Sequence, residues 1–320
     1  MPAVNKRSAA ARWVAAFLVL AVGALAGCGS GPAPGGTGTA TRPGTGTGTG
    51  AGTGTGAATS GPSPSPSPSA GTSLWGRSPA SLAAVGDSIT RGFDACDLLA
   101  DCPEASWATG TDKRVNSLAS RFGVAHRWNF ARSGARVADL PEQMARAAAQ
   151  RPELVTVMVG ANDACRDTTD LMTPVADFRA SFEQAMRRLR ATAPEARVYV
   201  SSVPDLQRLW STGRGNAIGA RIWELGLCRS MLGDAHDLGA SAEQRRARVH
   251  ARVVAYNTVL RDVCAEDPRC RYDGGAVFAY RFSAEQLSPD WFHPSKDGQQ
   301  RLAEIAYRTV TAPEAPSQGE

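Results

Sequence analysis

The chain has 320 residues, of which 42% are hydrophobic and 20% are charged, and its formal net charge is +5. Three of the basic residues, Lys6, Arg7 and Arg12, lie in an N-terminal segment without acidic residues, which leaves +2 on the rest of the chain. This near balance gives no reason to expect a nucleic-acid partner.

The first 27 residues have the pattern of a secretory signal peptide. Basic residues precede the apolar run 13–25, which is too short to span a membrane comfortably and ends in small residues. The segment Leu25-Ala26-Gly27-Cys28 resembles the bacterial lipobox, which implies a diacylglyceryl group on Cys28 and cleavage just before it. An ordinary signal peptide with an incidental cysteine is the alternative. We expect an extracytoplasmic protein anchored through Cys28 to the outer face of the cell membrane, or partly secreted.

Residues 28–73 predict a disordered linker. They consist mostly of Gly, Thr, Pro, Ser and Ala, with Thr-Gly repeats followed by Pro-Ser repeats. Such a composition cannot bury enough apolar surface to offset the entropy of an ordered chain. We expect one folded domain over residues 74–314, which is long enough for a sizeable core, and a disordered tail over 315–320.

Within this domain, apolar strands alternate with amphipathic helices. Strands are predicted at 82–85, 124–130, 154–159, 197–203 and 276–278, and helices at 113–122, 140–150, 175–192, 243–264 and 296–310. Residues 204–238 are expected to form a long irregular loop or lid beside the active site. The alternation predicts a three-layer α/β/α fold around a central, mostly parallel five-stranded sheet.

Six cysteines remain besides Cys28. An even number outside the cytoplasm indicates disulfides, and several pairings are possible. We favour Cys96–Cys102 and Cys264–Cys270, which are close in sequence and flank polar loops, together with Cys165–Cys228. The chain has no Cys-x-x-Cys motif and its four histidines are scattered, so we expect neither a metal site nor a cofactor.

Four polar motifs lie at the ends of predicted strands or before the last helix. They are Gly86-Asp87-Ser88, Asn129-Phe130-Ala131-Arg132-Ser133-Gly134, Gly160-Ala161-Asn162-Asp163 and Asp290-Trp291-Phe292-His293-Pro294. Each alone is ordinary turn or surface sequence. In this order they resemble the four blocks of the SGNH (GDSL-type) hydrolase family, over about residues 81–312. The family commonly has Leu after the serine, and Ile89 is an apolar residue of similar volume.

This resemblance implies the SGNH hydrolase fold, which is flavodoxin-like, and a role for each matching residue. Ser88 would be the nucleophile, His293 the base, and Asp290 the residue that orients the imidazole. The backbone N–H groups of Ser88 and Gly134 and the side-chain amide of Asn162 would stabilise the oxyanion.

The remaining polar candidates are expected to have no catalytic role. Asp87 and Asp163 would be structural, accepting hydrogen bonds from loop amides near the site. The other three histidines would be surface or core residues: His126, His236 and His250.

The substrate is expected to be an ester, cleaved by a monomeric enzyme. Residues 102–116 are similar to secreted, disulfide-bearing lipase and phospholipase B-like members, which implies acyl esters of lipids. Trp210, Trp223 and Trp291 could then form an apolar acyl pocket, although buried core tryptophans would look identical in the sequence. Because tryptophan also stacks on sugars, a carbohydrate O-acetylesterase is the alternative. A non-catalytic surface binding protein on the same fold is less consistent with the intact motifs.

Overall fold

The computed structural model describes residues 74–313. In this range five strands form one sheet, β1 (Ser81–Gly86), β2 (His126–Asn129), β3 (Leu154–Met158), β4 (Arg197–Val200) and β5 (Cys270–Tyr272). The strand order is β2-β1-β3-β4-β5, and every neighbouring pair is parallel. This is the flavodoxin-like order, so the predicted fold class is confirmed.

The centre of the sheet is its most apolar part. Every residue of β3 and β4 is buried, and β1 is buried after its first residue. Continuous burial follows from helices on both faces, which leave no side of a central parallel strand in water. The edge strands β2 and β5 are only partly buried and accordingly carry His and Arg residues.

Eleven helices surround the sheet within the described range. They are α1 (Ser88–Arg91), α2 (Leu118–Arg121), α3 (Leu140–Ala149), α4 (Ala161–Ala164), α5 (Val175–Thr192), α6 (Leu206–Gly213), α7 (Ala217–Glu224), α8 (Arg229–Leu232), α9 (Ala240–Ala265), α10 (Ala276–Ala279) and α11 (Lys296–Thr311). In one layer α5 packs between α3 and α9, and in the other α11 packs with α2. Phe178 of α5 stacks on Tyr256 of α9 with ring centroids 4.1 Å apart.

The helix predicted at 113–122 is wrong over its first half, since only Leu118–Arg121 is helical. Asp112 Oδ1 accepts a hydrogen bond from the Arg114 N–H and holds a turn. Asn116 then adopts φ +46°, which a helix cannot contain. Ser117 caps the shortened helix through the Ser120 N–H.

The strand predicted at 276–278 is also wrong, because these residues form α10 and the fifth strand is Cys270–Tyr272. Gly275 adopts φ +82°, which turns the chain out of the sheet. The Asp273 carboxylate accepts hydrogen bonds from the N–H groups of Gly275 and Val277, which stabilises the turn that starts α10.

The irregular loop predicted at 204–238 instead contains three helices, α6, α7 and α8. Asp205 and Asn216 cap the first two, each accepting two backbone N–H groups. Both are favoured N-cap residue types, so this signal was present in the sequence.

The three favoured cysteine pairs are disulfide-bonded in the structure: Cys96–Cys102, Cys165–Cys228 and Cys264–Cys270. The predicted signal peptide, the lipidation site Cys28, the linker and the tail lie outside the described residues. Across residues 74–313, no helix has the length and apolar character needed to cross a membrane.

Candidate active site

Gly86 ends β1 in a turn that no other residue could form without displacing the sheet. Its φ is +145°, and a Cβ at this position would lie 2.1 Å from the carbonyl oxygen of Met158 on β3. The buried Gln143 side chain accepts a hydrogen bond from the Gly86 N–H at 2.7 Å and donates one to the Gly86 carbonyl at 3.0 Å. Helix α3 therefore fixes the turn that leads into Ser88.

Ser88 begins α1, and its hydroxyl contacts a histidine from the other end of the domain. His293 Nε2 lies 2.8 Å from Ser88 Oγ, and His293 Nδ1 lies 2.6 Å from Asp290 Oδ2. All three residues are buried. With Nδ1–H donated to Asp290, Nε2 is free to accept the serine proton, which is the arrangement that activates a serine hydroxyl.

Asp290 is held as a carboxylate by the loop that carries His293. Burial alone would raise the pKa of Asp290, but hydrogen bonds from the His293 side chain and backbone and from the Phe292 N–H outweigh it and lower the pKa. Asp290 Oδ1 accepts both backbone N–H groups at 2.9 Å. The same carboxylate therefore fixes the loop backbone and orients the imidazole.

The three residues predicted to supply oxyanion donors, Ser88, Gly134 and Asn162, line one cavity together with His293. In the described part of the chain the backbone N–H groups of Ser88 and Gly134 have no hydrogen-bond acceptor. Asn162 donates one Nδ2–H to the Ala135 carbonyl at 3.0 Å, which orients the amide. Its second Nδ2–H can then donate to an oxyanion in the cavity. Gly134 has φ +79°, and a Cβ there would meet nothing within 4 Å.

The cavity has a volume of about 530 Å³ and an apolar wall. Its apolar side chains come from the segment after α1, the end of α7 and the loop before α11: Phe93, Leu99, Ile222, Leu225, Leu227 and Phe292. None of the predicted tryptophans lines it. Trp223 is buried and donates to the Asp290 carbonyl, Trp291 packs against Gly219, and Trp210 donates to the Ala235 carbonyl. Trp223 and Trp291 therefore support the wall from behind.

Gln299 is a buried supporting residue that sequence reasoning missed. It lies in the first turn of α11, accepts a hydrogen bond from the Trp107 N–H at 3.0 Å and donates to the Ile89 carbonyl at 2.8 Å. This contact joins the helix that follows His293 to the helix that begins at Ser88. Gln143 was missed in the same way, since neither glutamine belongs to one of the four motifs.

The polar residues that were predicted to have no catalytic role make structural contacts or lie outside the cavity. Asp163 accepts hydrogen bonds from the Val137 N–H at 3.0 Å and from the Thr173 hydroxyl at 2.7 Å. His126 stacks on Trp128, and His250 Nδ1 lies 3.2 Å from Asp205 Oδ1. His126, His236 and His250 all lie outside the cavity.

Asp87 is a buried carboxyl group beside Ser88. Its Oδ1 accepts the Ile89 N–H at 3.0 Å, while Oδ2 has no hydrogen-bond partner among residues 74–313. Burial raises the pKa of Asp87 to about 7, although the Ile89 hydrogen bond and the His293 charge act in the opposite direction. The folded protein thus retains a proton that the unfolded chain releases near pH 3.8. Protonation of Asp87 therefore stabilises the folded state. This contribution to the free energy of unfolding is fully present below pH 3.8 and is lost as the pH rises through about 7.

Asp87→Asn should remove this pH dependence, because asparagine keeps the acceptor for Ile89 and cannot ionise. We take the free energy of unfolding of the variant minus that of wild type at the same pH. We expect this difference to be on the order of 3 kcal/mol larger at about pH 9 than at about pH 5. Urea unfolding at the two pH values measures this difference. Asp170→Asn, at an exposed position, is the matched control and should show no such rise. Parallel pH profiles for Asp87→Asn and wild type would contradict the prediction.

The comparisons with known proteins identify a family. The profile of the GDSL-like lipase/acylhydrolase family matches residues 84–301, which include all four motifs. No curated protein matches the chain.

Solved structures with a similar fold include three esterase- or lipase-related proteins. A putative GDSL-like lipase from Parabacteroides merdae is 16% identical, with 72% of this chain and 95% of that chain covered and a TM-score of 0.46. An acetyl xylan esterase is 16% identical, with 72% and 99% covered and a TM-score of 0.46. An extracellular lipase from Streptomyces rimosus is 18% identical, with 71% and 99% covered and a TM-score of 0.41.

Proposed function

Because the chain belongs to the GDSL-like lipase/acylhydrolase family, we propose that it is a serine ester hydrolase that cleaves carboxylic acyl esters through an acyl-enzyme. The observation that carries this proposal is the chain of two hydrogen bonds from Ser88 Oγ through the His293 ring to Asp290. The oxyanion donors and the apolar cavity lie beside the same hydroxyl.

In the first half of the reaction, Ser88 Oγ attacks the ester carbonyl carbon while its proton passes to His293 Nε2. The carbonyl oxygen becomes an oxyanion that accepts hydrogen bonds from Ser88 N–H, Gly134 N–H and Asn162 Nδ2–H. Asp290 stabilises the imidazolium that forms. His293 then protonates the alkoxide as the carbon–oxygen bond breaks, and the alcohol leaves.

In the second half, His293 Nε2 takes a proton from water and the hydroxide attacks the acyl carbon. The oxyanion forms again among the same donors. Its collapse breaks the bond to Ser88 Oγ, which regains the proton from His293, and the carboxylic acid is released. Over the two halves, one ester and one water give one alcohol and one carboxylic acid, and Ser88 and His293 return to their starting protonation states.

The cavity wall favours an acyl chain over a sugar ring. Phe93, Ile222 and Leu227 present hydrocarbon beside Ser88, and burial of apolar surface drives binding of such a chain. Sugar sites need several side-chain donors and acceptors, and the residues of the segment 222–227 that line the cavity supply none. We therefore propose acyl esters, including lipid esters, as the substrate class and carbohydrate acetyl esters as the competing class.

The location also belongs to this proposal. The three disulfides are compatible with an oxidising compartment outside the cytoplasm. We propose that the protein acts there, held to the membrane through Cys28 and the linker 28–73.

Labelling with a fluorophosphonate tests the chemistry directly. We expect one adduct, located on Ser88 by peptide mass spectrometry, because among residues 74–313 only this serine has a hydrogen-bonded base beside an oxyanion site. Prior incubation with p-nitrophenyl butyrate should slow the labelling. A protein that forms no adduct, or forms it on Ser133 instead, would support the non-catalytic binding protein or another mechanism.

The same preparation separates the two substrate classes. Catalytic efficiency, kcat/KM, should rise by about tenfold or more from p-nitrophenyl acetate to p-nitrophenyl octanoate, since added methylenes are buried against the cavity wall. A steep fall with chain length would favour the carbohydrate O-acetylesterase.

A further inference from the structure

Exposed aliphatic side chains are concentrated at the mouth of the cavity. Seven large hydrophobic side chains are exposed among residues 74–313, and four of them lie in two short segments beside the cavity. These four form what we call the apolar rim: Leu98 and Leu99 in the loop after α1, and Ile218 and Leu225 on and after α7. Single exposed leucines are normal, but a cluster at a functional opening marks an interaction site.

The first half of the rim is held outward by its own loop. The Cys96–Cys102 disulfide closes the loop, and Leu99 adopts φ +58°, a conformation unfavourable for a leucine. The buried Asp94 carboxylate stabilises it by accepting the Leu99 N–H at 2.5 Å. A buried carboxylate thus holds the backbone of a leucine that is 72% exposed.

The second half of the rim lies on and just after α7, whose other face is fixed to the loop that carries Asp290 and His293. Ile218, Ile222 and Leu225 follow one another at spacings of four and three, so they share one side of α7. On the opposite side, Gly219 packs against Trp291 and Trp223 donates to the Asp290 carbonyl. Ile222 and Leu225 line the cavity, and Ile218, 68% exposed, extends the same apolar stripe away from it.

From this arrangement, and resting on the proposed function, we propose that the apolar rim docks the protein on the surface of a lipid aggregate, from which an acyl ester passes into the cavity. Leu99 and Leu225 belong both to the rim and to the cavity lining, so the docking surface is continuous with the path to Ser88. A protein partner or a second copy seated on the rim would close this path, whereas a lipid surface supplies substrate through it.

Charge makes a minor contribution to this docking. The charged residues in the loop 96–102 and in the segment 217–225 are Asp97, Asp101, Arg221 and Glu224, which include both signs. Attraction to anionic headgroups is therefore weak, and binding by apolar contact should depend little on salt. We accordingly expect the rim to bind the surfaces of neutral lipids.

Tributyrylglycerol tests the proposal, because the same ester can be offered as dissolved monomers and as droplets. For the full-length wild-type protein we expect the rate to rise by about tenfold as the ester exceeds its solubility limit. The double variant Leu98→Gln/Ile218→Gln, whose positions lie outside the cavity lining, should lose this rise. Its rate on dissolved p-nitrophenyl butyrate should equal that of wild type, and 0.5 M NaCl should not change the rise by more than about twofold.

The matched control is Leu238→Gln/Val254→Gln, which changes two exposed apolar residues elsewhere and should keep the rise. If the rim variant also loses activity on the dissolved ester, the milder Leu98→Ala/Ile218→Ala pair replaces it, with an expected loss of about threefold on droplets alone. Wild type without a rise, or a rim variant that keeps it, overturns the docking proposal. If the wild-type protein did not hydrolyse dissolved esters, that result would instead contradict the proposed function.

Discussion

Ser88→Ala is expected to lower kcat for p-nitrophenyl butyrate by a factor of about 10⁴–10⁶. Alanine removes the oxygen that His293 Nε2 contacts at 2.8 Å and to which the acyl group would be attached. The oxyanion donors and the apolar wall remain, so slow attack by water accounts for the residual rate. Steady-state hydrolysis measures kcat, and far-ultraviolet circular dichroism establishes that the variant is folded.

Ser133→Ala provides the matched control inside the same cavity. Ser133 also lines the cavity, but its hydroxyl donates to Asp101 and has no histidine partner in the described structure. We expect kcat to stay within about threefold of wild type, since an exposed hydrogen bond contributes little. If Ser88→Ala kept more than a tenth of the wild-type kcat, or if Ser133→Ala were equally inactive, Ser88 would not be the nucleophile.

The fold and the four motif positions could be predicted because they depend on local patterns. Buried parallel strands produce continuous apolar runs, as in β3, and the carboxyl ends of such strands share one edge of the sheet. The motifs after β1 and β3 were therefore expected beside each other. His293 could be paired with Asp290 because the two are only three residues apart.

The composition of the cavity wall could not be predicted, because it depends on contacts between distant segments. Trp223 and Trp291 looked like pocket residues by type, yet they pack inward under α7. The wall instead uses Ile222 and Leu225, which in the sequence look like ordinary helix residues. Their position at the cavity follows from how α7 packs on the loop that carries Asp290 and His293, and no local pattern encodes that contact.

The two supporting glutamines show the same limit. Gln143 contacts Gly86, 57 residues away, and Gln299 contacts Ile89, 210 residues away. A glutamine in an amphipathic helix is usually solvent-exposed, so neither position carries a signal for burial. Their function becomes visible only when the helices are placed against the turn at Gly86.

Asp290→Asn is expected to lower kcat by a factor of about 10⁴ while leaving the loop folded. Asparagine Oδ1 can still accept the N–H groups of Phe292 and His293, which Asp290 Oδ1 accepts at 2.9 Å. Its Nδ2 replaces the oxygen that lies 2.6 Å from His293 Nδ1 and would donate to that nitrogen. The proton would then reside on Nε2, which would donate to Ser88 Oγ and could no longer accept its proton.

Asp205→Asn is the matched control, because it makes the same change in a second His–Asp contact, between His250 Nδ1 and Asp205 Oδ1. Asparagine also caps helices well, so α6 should form normally and kcat should stay within about threefold of wild type. The two kcat values, measured on p-nitrophenyl butyrate across the pH range, separate a catalytic carboxylate from a structural one. An Asp290→Asn enzyme reduced by less than about tenfold would show that the carboxylate does not set the tautomer of His293, and the base would then have to be oriented by the loop backbone alone.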